Sequence, residues 1–467
     1  MNYEIKIPSL NLDFTVPPSK SVVHRELIIQ FLLWSLDKSQ WLTDMRCLTD
    51  MRWSTDMRWL SLSKPPAKIS ALLTSESTDN DDIRATRACL KALYDAVSDD
   101  SSSDVIMPCN ESGSTLRFMI SVGAAFLTHM GLAEKKRLVF LPKGRLIDRP
   151  LDQLVRCLGD HGVRVSIVKH EQKIFVQGQL QGGVFKIEGN VSSQYASGLQ
   201  MACLVIPGAS VEIVGPMESK GYYELTLDLI KKYAGTTGAL QSAVPVLREP
   251  QQPLVEGPQS PEGDWSSAAF LLTLGALTPD AHIQLSGLNK NSFQKDKIIL
   301  EILKQLGFEY EWNESKLCLI KGRTDEEDFF VSEINLDAAD YPDIVPYIAV
   351  AAAARCKHAL IKNIERLRFK ECDRVEATIQ ALKAAGASAS EKDGSLIIEG
   401  GFDIPEKIFV PTFNDHRMAM TACLIAAWTK KPVMIDNKEC VNKSFPRLFE
   451  IIRHPELVSG SVLPERK

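Results

Sequence analysis

Basic side chains recur in this sequence where helices begin. Lys20 precedes a helix-patterned stretch, Val22 to Trp34, and Arg25 lies in its first turns, after a Pro-Pro-Ser run. Arg117 follows Ser112-Gly113-Ser114, and Arg374 follows Asp373, with Lys370 and Glu371 just upstream. His416 and Arg417 follow Asn414-Asp415. Other helix starts carry Ser192, Ser193 and Gln194, then Ser219, Lys220 and Tyr222, then Asp264, while Arg145 stands ahead of another. A helix N-terminus already carries partial positive charge from its unpaired N–H groups, so basic residues gain nothing structurally there. A single such arginine is ordinarily a solvated surface residue. Four such starts call for a different account. Free N–H groups, small hydroxyl caps and Arg or Lys heads together make anion sites. If repeated units aim these starts at one cleft, the ligand is a small molecule carrying several phosphate or carboxylate charges.

Other chemistries are disfavoured. There is no G-x-x-x-x-G-K-[ST] and no G-x-G-x-x-G, so no nucleotide cofactor is expected. The 8 histidines form no H-x-x-x-H, so no metal site is expected. A net charge of −5 argues against nonspecific nucleic-acid binding and makes any positive field local. The 467 residues, 45% hydrophobic and 24% charged, suit a soluble protein of two domains. No signal-peptide core and no membrane-length apolar run is read in the chain. The 10 cysteines are scattered singly and read as reduced, mostly buried thiols of a cytoplasmic protein.

The elements that must position these residues form a repeat. "LVRCLGDHGVRVSIVKHEQKIFVQG", "ILKQLGFEYEWNESKLCLIKG" and "QALKAAGASASEKDGSLIIEG" each read as a helix, a Gly stop and a hairpin, with Gly162, Gly307 and Gly386 ending the helices. Their spacing fits units of roughly 70 to 80 residues, an array of α+β units. Thr-Asp-Met-Arg occurs at Thr43, Thr49 and Thr55, and reads as a tolerated surface insertion, a loop over about 38–66. Residues 456–467 read as a disordered tail.

"PPSKSVVHR", "SGSTLR", "GRLIDRP", "VSSQ", "ESKGYY", "EGDWSSAAF", "RFKECDR", "FNDHRMAM" and "NKSFPRLFE" together resemble the 5-enolpyruvylshikimate-3-phosphate synthase family of enolpyruvyl transferases. The resemblance runs from about Ile5 to about Ile452, skipping roughly Lys38 to Pro66. It implies an α/β fold, a two-domain inside-out α/β barrel with three βαβαββ units per domain and helix N-termini facing an interdomain cleft. The C-terminal domain would be discontinuous, 1–18 with 262–455, and the N-terminal domain would be 19–261. The implied reaction moves the enolpyruvyl group of phosphoenolpyruvate to the 5-hydroxyl of shikimate 3-phosphate and releases phosphate, through a tetrahedral intermediate. It serves aromatic amino-acid (chorismate) biosynthesis and needs no metal or other cofactor.

By the same resemblance, phosphoenolpyruvate falls to Lys20, Gly113, Arg145, Gln194, Arg374, Arg417 and Lys443. Shikimate 3-phosphate falls to Ser21, Arg25, Ser192, Ser193, Gln194, Ser219, Tyr222, Asp343 and Lys370. Asp343, in "DYPDIVPY", is the implied base for the 5-hydroxyl, and Glu371 the implied group for proton exchange at C3, with Lys20 as its partner. The expected partners are these two small molecules, with no nucleic acid and no membrane, and a monomer is expected.

Departures from the family pattern are local. Glu111 stands where Asn is frequent, Arg366 where many members have Asn, and Cys372 where Thr or Ser is usual; Ser114 and Phe118 also differ from common choices. None removes a catalytic group. Two rival readings are the sister enzyme that uses UDP-N-acetylglucosamine, disfavoured by Lys20-Ser21 and Ser192-Ser193-Gln194, and a noncatalytic anion binder, disfavoured by intact Lys20, Asp343, Glu371, Arg374, Arg417 and Lys443.

Overall fold

Alternating apolar and polar residues make the strands of this chain, and glycines end the helices that precede its hairpins. The structure, a computed structural model, describes residues 2–7, 9–48, 67–74, 79–99, 103–234, 261–321 and 331–453. They belong to two units: the first is Met1–Ser19 with Ser260–Lys467, the second Lys20–Gln259.

The first unit opens with β1 (Tyr3–Ile5) and β2 (Asn11–Thr15). Leu12 and Phe14 of β2 are buried while Asn11 and Thr15 are exposed, as a period of two requires. The second unit then runs through α1 (Lys20–Leu48), α2 (Ala67–Leu73), α3 (Asp81–Ser98), β3 (Asp104–Asn110), α4 (Gly113–His129) and β4 (Arg137–Pro142). It continues with α5 (Asp152–Asp160), β5 (Arg164–Val168), β6 (Lys173–Gln177), β7 (Gly183–Glu188), α6 (Ser193–Ala202), β8 (Ala209–Val214) and α7 (Lys220–Ala234). Back in the first unit come α8 (Trp265–Leu277), β9 (His282–Ser286), α9 (Ile299–Gln305), β10 (Glu309–Asn313), β11 (Lys316–Lys321), β12 (Val331–Asp337) and α10 (Val345–Arg355). The last elements are β13 (Cys356–Lys362), α11 (Arg374–Ala384), β14 (Ala387–Lys392), β15 (Ser395–Phe402), β16 (Ile408–Phe409), α12 (His416–Thr429), β17 (Val433–Ile435) and α13 (Leu448–Arg453).

Three sheets share one topology. Their orders are β3-β4-β6-β5, β12-β13-β15-β14 and β2-β9-β11-β10. In each, the first pair is parallel and the other two are antiparallel. A parallel pair needs a crossover, and α4, α10 and α8 supply it. The closing hairpin follows a helix that stops at Gly162, Gly307 or Gly386, whose φ values are 86°, 86° and 87°. That left-handed conformation favours glycine. At Gly386 a Cβ would also lie 2.0 Å from the Asp403 carbonyl oxygen. The helix–Gly–hairpin repeat in the sequence is therefore a structural repeat. The parallel pairs β7–β8 and β16–β17 repeat the same parallel opening.

Helices rather than sheets occupy the centre of each unit. Every residue of α8, α10 and α12 is buried, and these three helices pack on one another. In the second unit α4 and α6 are packed together and almost wholly buried. A helix that is apolar all round must be buried, so "AAFLLTLGAL" and "YIAVAAAA" can only be interior.

Two expectations change. Lys20 is the first residue of α1 rather than a residue ahead of it. Lys38 to Leu48, read as part of an inserted loop, continue α1 as helix, because that stretch holds no proline or glycine to stop it. The rest of that segment and the tail lie outside the described residues.

The chain leaves and rejoins the first unit at one place. Pro18 and Gly263 form an isolated bridge, and the Ser19 N–H donates to the Glu262 carbonyl at 2.8 Å. Buried Gln294 ties both passages. Its oxygen accepts from Ser19 Oγ at 2.9 Å and from the Trp265 N–H at 3.0 Å. Its nitrogen donates to Glu262 Oε1 at 2.6 Å and to the Gly263 carbonyl at 3.0 Å. Gln294→Leu strands these buried partners, and urea unfolding should show a loss of about 3 kcal/mol; an unchanged midpoint would mean the amide ties nothing.

Candidate active site

In the first unit, three helix starts build one charged cluster. Asp373 caps α11, accepting from the N–H groups of Val375 and Glu376 at 3.1 and 3.2 Å. Asp415 caps α12, accepting from the Arg417 N–H at 2.9 Å. Asp343 lies in the 3-10 turn Pro342–Ile344 that leads into α10. The caps fix the first turns, so Arg374 and Arg417 are held where those helices begin.

Arg374 is the hub. Its Nη1 lies 2.8 Å from Asp343 Oδ1, its Nη2 2.8 Å from Glu371 Oε2 and its Nε 2.7 Å from Asp415 Oδ2. Lys370 Nζ reaches the same Asp343 oxygen at 3.0 Å, and Lys443 Nζ reaches Glu371 Oε1 at 3.0 Å. Asp343, Lys370, Glu371, Arg374 and Lys443 are thus brought into one network, joined by Asp415. Burial acts to lower the pKa of the Arg374 guanidinium, but Asp415, Glu371 and Asp343 outweigh it and hold it well above its ordinary value. Burial lowers the Lys370 ammonium despite the opposing pull of Asp343.

Arg417 is built differently. It is 2% exposed, yet among the described residues no carboxylate lies within ion-pair distance of it. Its Nη1 donates to the Tyr347 hydroxyl at 2.9 Å, and its guanidinium lies 5.6 Å from the centre of that ring. Its Nε is buried without a hydrogen-bond partner. His416 is buried beside the cap, its Nδ1 3.5 Å from Asp415 Oδ1.

In the second unit the sequence-derived residues fall into separate groups. Lys20 Nζ lies 3.3 Å from Asp82 Oδ2. Arg25 is buried among neutral acceptors: its Nε donates to Thr226 Oγ1 at 2.7 Å, Nη1 to the Ser21 carbonyl at 2.6 Å, and Nη2 to the Tyr222 carbonyl at 3.0 Å. Burial pulls its guanidinium down to about 10, with Tyr222 opposing. Gln194, in the first turn of α6, accepts from Arg117 Nη1 at 2.8 Å and donates to Ser114 Oγ at 2.9 Å. Ser192 caps α6 by accepting from the Gln194 N–H, and Ser193 is buried beside it. Gly113 opens α4, where a Cβ would come within 2.7 Å of Arg149 Nη1 and 3.1 Å of Arg117 Nη1. Ser219, at φ 52°, makes the bend into α7. Arg145 is exposed in the 3-10 turn Gly144–Asp148 and among the described residues shares no hydrogen bond with these groups. Glu111 lies against that turn, its Oε1 2.9 Å from where a Gly144 Cβ would be. Asp148 pairs with Lys169 at 3.0 Å.

Sequence reasoning missed three parts of this site. Asp415 was legible only as a cap, yet it also holds Arg374. Tyr347 carries no spacing signal; it reads as one more apolar residue of a buried helix. Asp296 is a buried carboxyl hydrogen-bonded by Ser266. Burial pushes it up to about 6; the charge of Asp343 adds to this, and the Ser266 bond opposes it.

The cluster generates three predictions. Arg374→Ala leaves three carboxylates facing one another, one of them fully buried, and should cost roughly 3 to 5 kcal/mol in chemical unfolding. Arg417→Met removes a buried cation that makes no contact ion pair among the described residues, so its loss should be well below that of Arg374→Ala; equal losses in the two variants would contradict this pairing. Asp296 supplies the pH test. A carboxyl raised on folding contributes its stability in full below about pH 4 and loses it as pH rises through its folded value. For Asp296 that window closes near 6. Asp296→Asn should therefore flatten the decline in stability between these pH values, as read from unfolding midpoints.

Comparison with known proteins identifies the family. The family described as EPSP synthase (3-phosphoshikimate 1-carboxyvinyltransferase) matches residues 61–452. The 3-phosphoshikimate 1-carboxyvinyltransferase of Clostridium novyi is 30% identical, with 95% of each chain covered. That of Clostridium perfringens strain 13 is 32% identical, with 93% of each covered. Among solved structures, the EPSP synthase of Acinetobacter baumannii superposes with a TM-score of 0.61 at 20% identity, covering 97% of this chain and 98% of that one. The helix-centred units, the repeated topology and these matches converge: the chain belongs to the EPSP synthase family.

Proposed function

We propose that this protein transfers the enolpyruvyl group of phosphoenolpyruvate to the 5-hydroxyl of shikimate 3-phosphate and releases phosphate, a step of aromatic amino-acid and chorismate biosynthesis. The observation that carries this reading is the contrast within one cluster. A base-competent carboxylate, Asp343, sits beside cations, while a neighbouring buried guanidinium, Arg417, has no carboxylate within ion-pair distance among the described residues. Burial opposes the Arg417 charge, but Tyr347, Asp343 and Asp264 together hold its pKa above the ordinary value; with no contact ion pair among the described residues, the guanidinium is left to receive an anionic substrate.

The chemistry follows from charge. Both substrates are anions and repel each other, so the site must cancel that charge and hold the carbons in register. We assign phosphoenolpyruvate to Lys20, Gly113, Arg145, Gln194, Arg374, Arg417 and Lys443. Ser21, Arg25, Ser192, Ser193, Gln194, Ser219, Tyr222, Asp343 and Lys370 are assigned to shikimate 3-phosphate. Lys370 and Arg374 favour the ionised form of Asp343, which accepts the proton of the 5-hydroxyl as that oxygen attacks C2 of phosphoenolpyruvate. A proton added at C3 completes the tetrahedral intermediate. Loss of a C3 proton and of the C2–O bond to phosphate then restores the double bond. Glu371, held between Lys443 and Arg374, takes the C3 proton, and Lys20 assists it. For the first half of the cycle Glu371 must itself gain a proton.

This reading includes a monomer acting in the cytoplasm. Free thiols at the nine described cysteines suit the reducing compartment of that reading. The test is phosphate release from phosphoenolpyruvate with shikimate 3-phosphate or UDP-N-acetylglucosamine as acceptor. Release is expected with shikimate 3-phosphate alone, and Asp343→Ala should lower kcat by roughly 10²- to 10⁴-fold, the span of general-base contributions. Release with the sugar nucleotide would move the protein to the sister activity. Binding of phosphoenolpyruvate with no release would make it a noncatalytic binder.

A further inference from the structure

Two buried arginines stand at neighbouring helix starts, and they are oriented by opposite means. Arg374 is fixed by three carboxylates, which also spend its charge. Arg417 is fixed by a phenol. We propose that Tyr347 is a positioning residue for the donor substrate: its hydroxyl fixes the Arg417 guanidinium without a contact ion pair, leaving its charge available for the anionic groups of phosphoenolpyruvate. This rests on the assignment of Arg417 to that substrate.

The surroundings of Tyr347 suit the task. It lies in the first turn of α10, four residues after Asp343, and is fully buried. Its ring meets Phe270 edge-on, with centres 5.8 Å apart. Its O–H donates to Met420 Sδ at 2.9 Å. With the proton committed to the thioether, the oxygen lone pairs are left for Arg417. Burial pushes the phenol up to about 12 even with Arg417 beside it, so it stays neutral at working pH. A carboxylate at this position would pair with Arg417 as Asp415 pairs with Arg374. A phenylalanine would keep the ring under the guanidinium and lose the acceptor.

The test compares wild type with Tyr347→Phe in steady-state kinetics for both substrates, alongside thermal unfolding. The KM for phosphoenolpyruvate should rise roughly tenfold, as expected for losing one hydrogen bond to a charged group. The KM for shikimate 3-phosphate should stay within about twofold, and the melting temperature should fall by only about a few degrees, the cost of one hydrogen bond to a buried guanidinium with the packing unchanged. Met420→Leu, which frees the hydroxyl proton, should shift the same KM in the same direction by a smaller factor, and serves if Tyr347→Phe does not fold. An unchanged KM for phosphoenolpyruvate overturns the proposal, as does an equal rise for both substrates with a fallen melting temperature. If wild type releases no phosphate with shikimate 3-phosphate, the proposed reaction fails separately. Calorimetric titration of phosphoenolpyruvate then decides for Tyr347: weaker binding by the variant supports its role, and equal or absent binding overturns it.

Discussion

The buried guanidinium of Arg374 is the interaction on which the first unit's chemistry depends. It draws together carboxylates from three places: the turn before α10, the segment before α11 and the cap of α12. Each of those carboxylates has a further duty. Asp343 is the proposed base, Glu371 the proposed proton carrier, and Asp415 caps the helix that bears Arg417. A cation buried this deeply has to be satisfied on every side, so the cost of leaving it unpaired fixes the mutual positions of residues far apart in the chain. Lys370 and Lys443 then dock on carboxylates already held in place.

The repeated topology makes such a cluster possible. Each unit puts its most apolar helices at the centre and its sheets around them. In the first unit α10, α11 and α12 begin close enough together for their first-turn side chains to touch. Capping carboxylates satisfy some of the free N–H groups there, and the arginines add charge that the helices themselves do not need.

Much of this was legible in the sequence. Gly162, Gly307 and Gly386 mark a backbone conformation that glycine supplies readily, so their recurrence reports the repeat. Asp264 and Asp373 are readable as caps because capping is a local interaction between near neighbours. What could not be read depends on contacts between distant segments. Nothing local marks Tyr347 as the partner of Arg417, because the two are brought together only when α10 packs on α12. Arg25 shows the same limit. Its charge and place near a helix start suggested an anion site, but its hydrogen bonds to Thr226 and the Tyr222 carbonyl also make it a strut joining α1 to α7. The extension of α1 through Leu48 was missed because a six-residue repeat of Thr-Asp-Met-Arg masks the helical period of 3.6.

The pairing of β2 with β9 has a consequence for synthesis on the ribosome. Thr15 and Ser286 are neighbours in that ladder and 271 positions apart in the chain. At a translation rate of about 5 to 20 residues per second, β2 waits on the order of tens of seconds for its partner. Meanwhile the whole of Lys20–Gln259 emerges and has the contacts it needs to fold. Through that interval the nascent N-terminus carries an apolar strand with an open edge, the kind of segment that chaperones and neighbouring chains capture. Assembly thus runs from the middle of the gene outward, and β2, made long before β9, is among the later pieces to find its place.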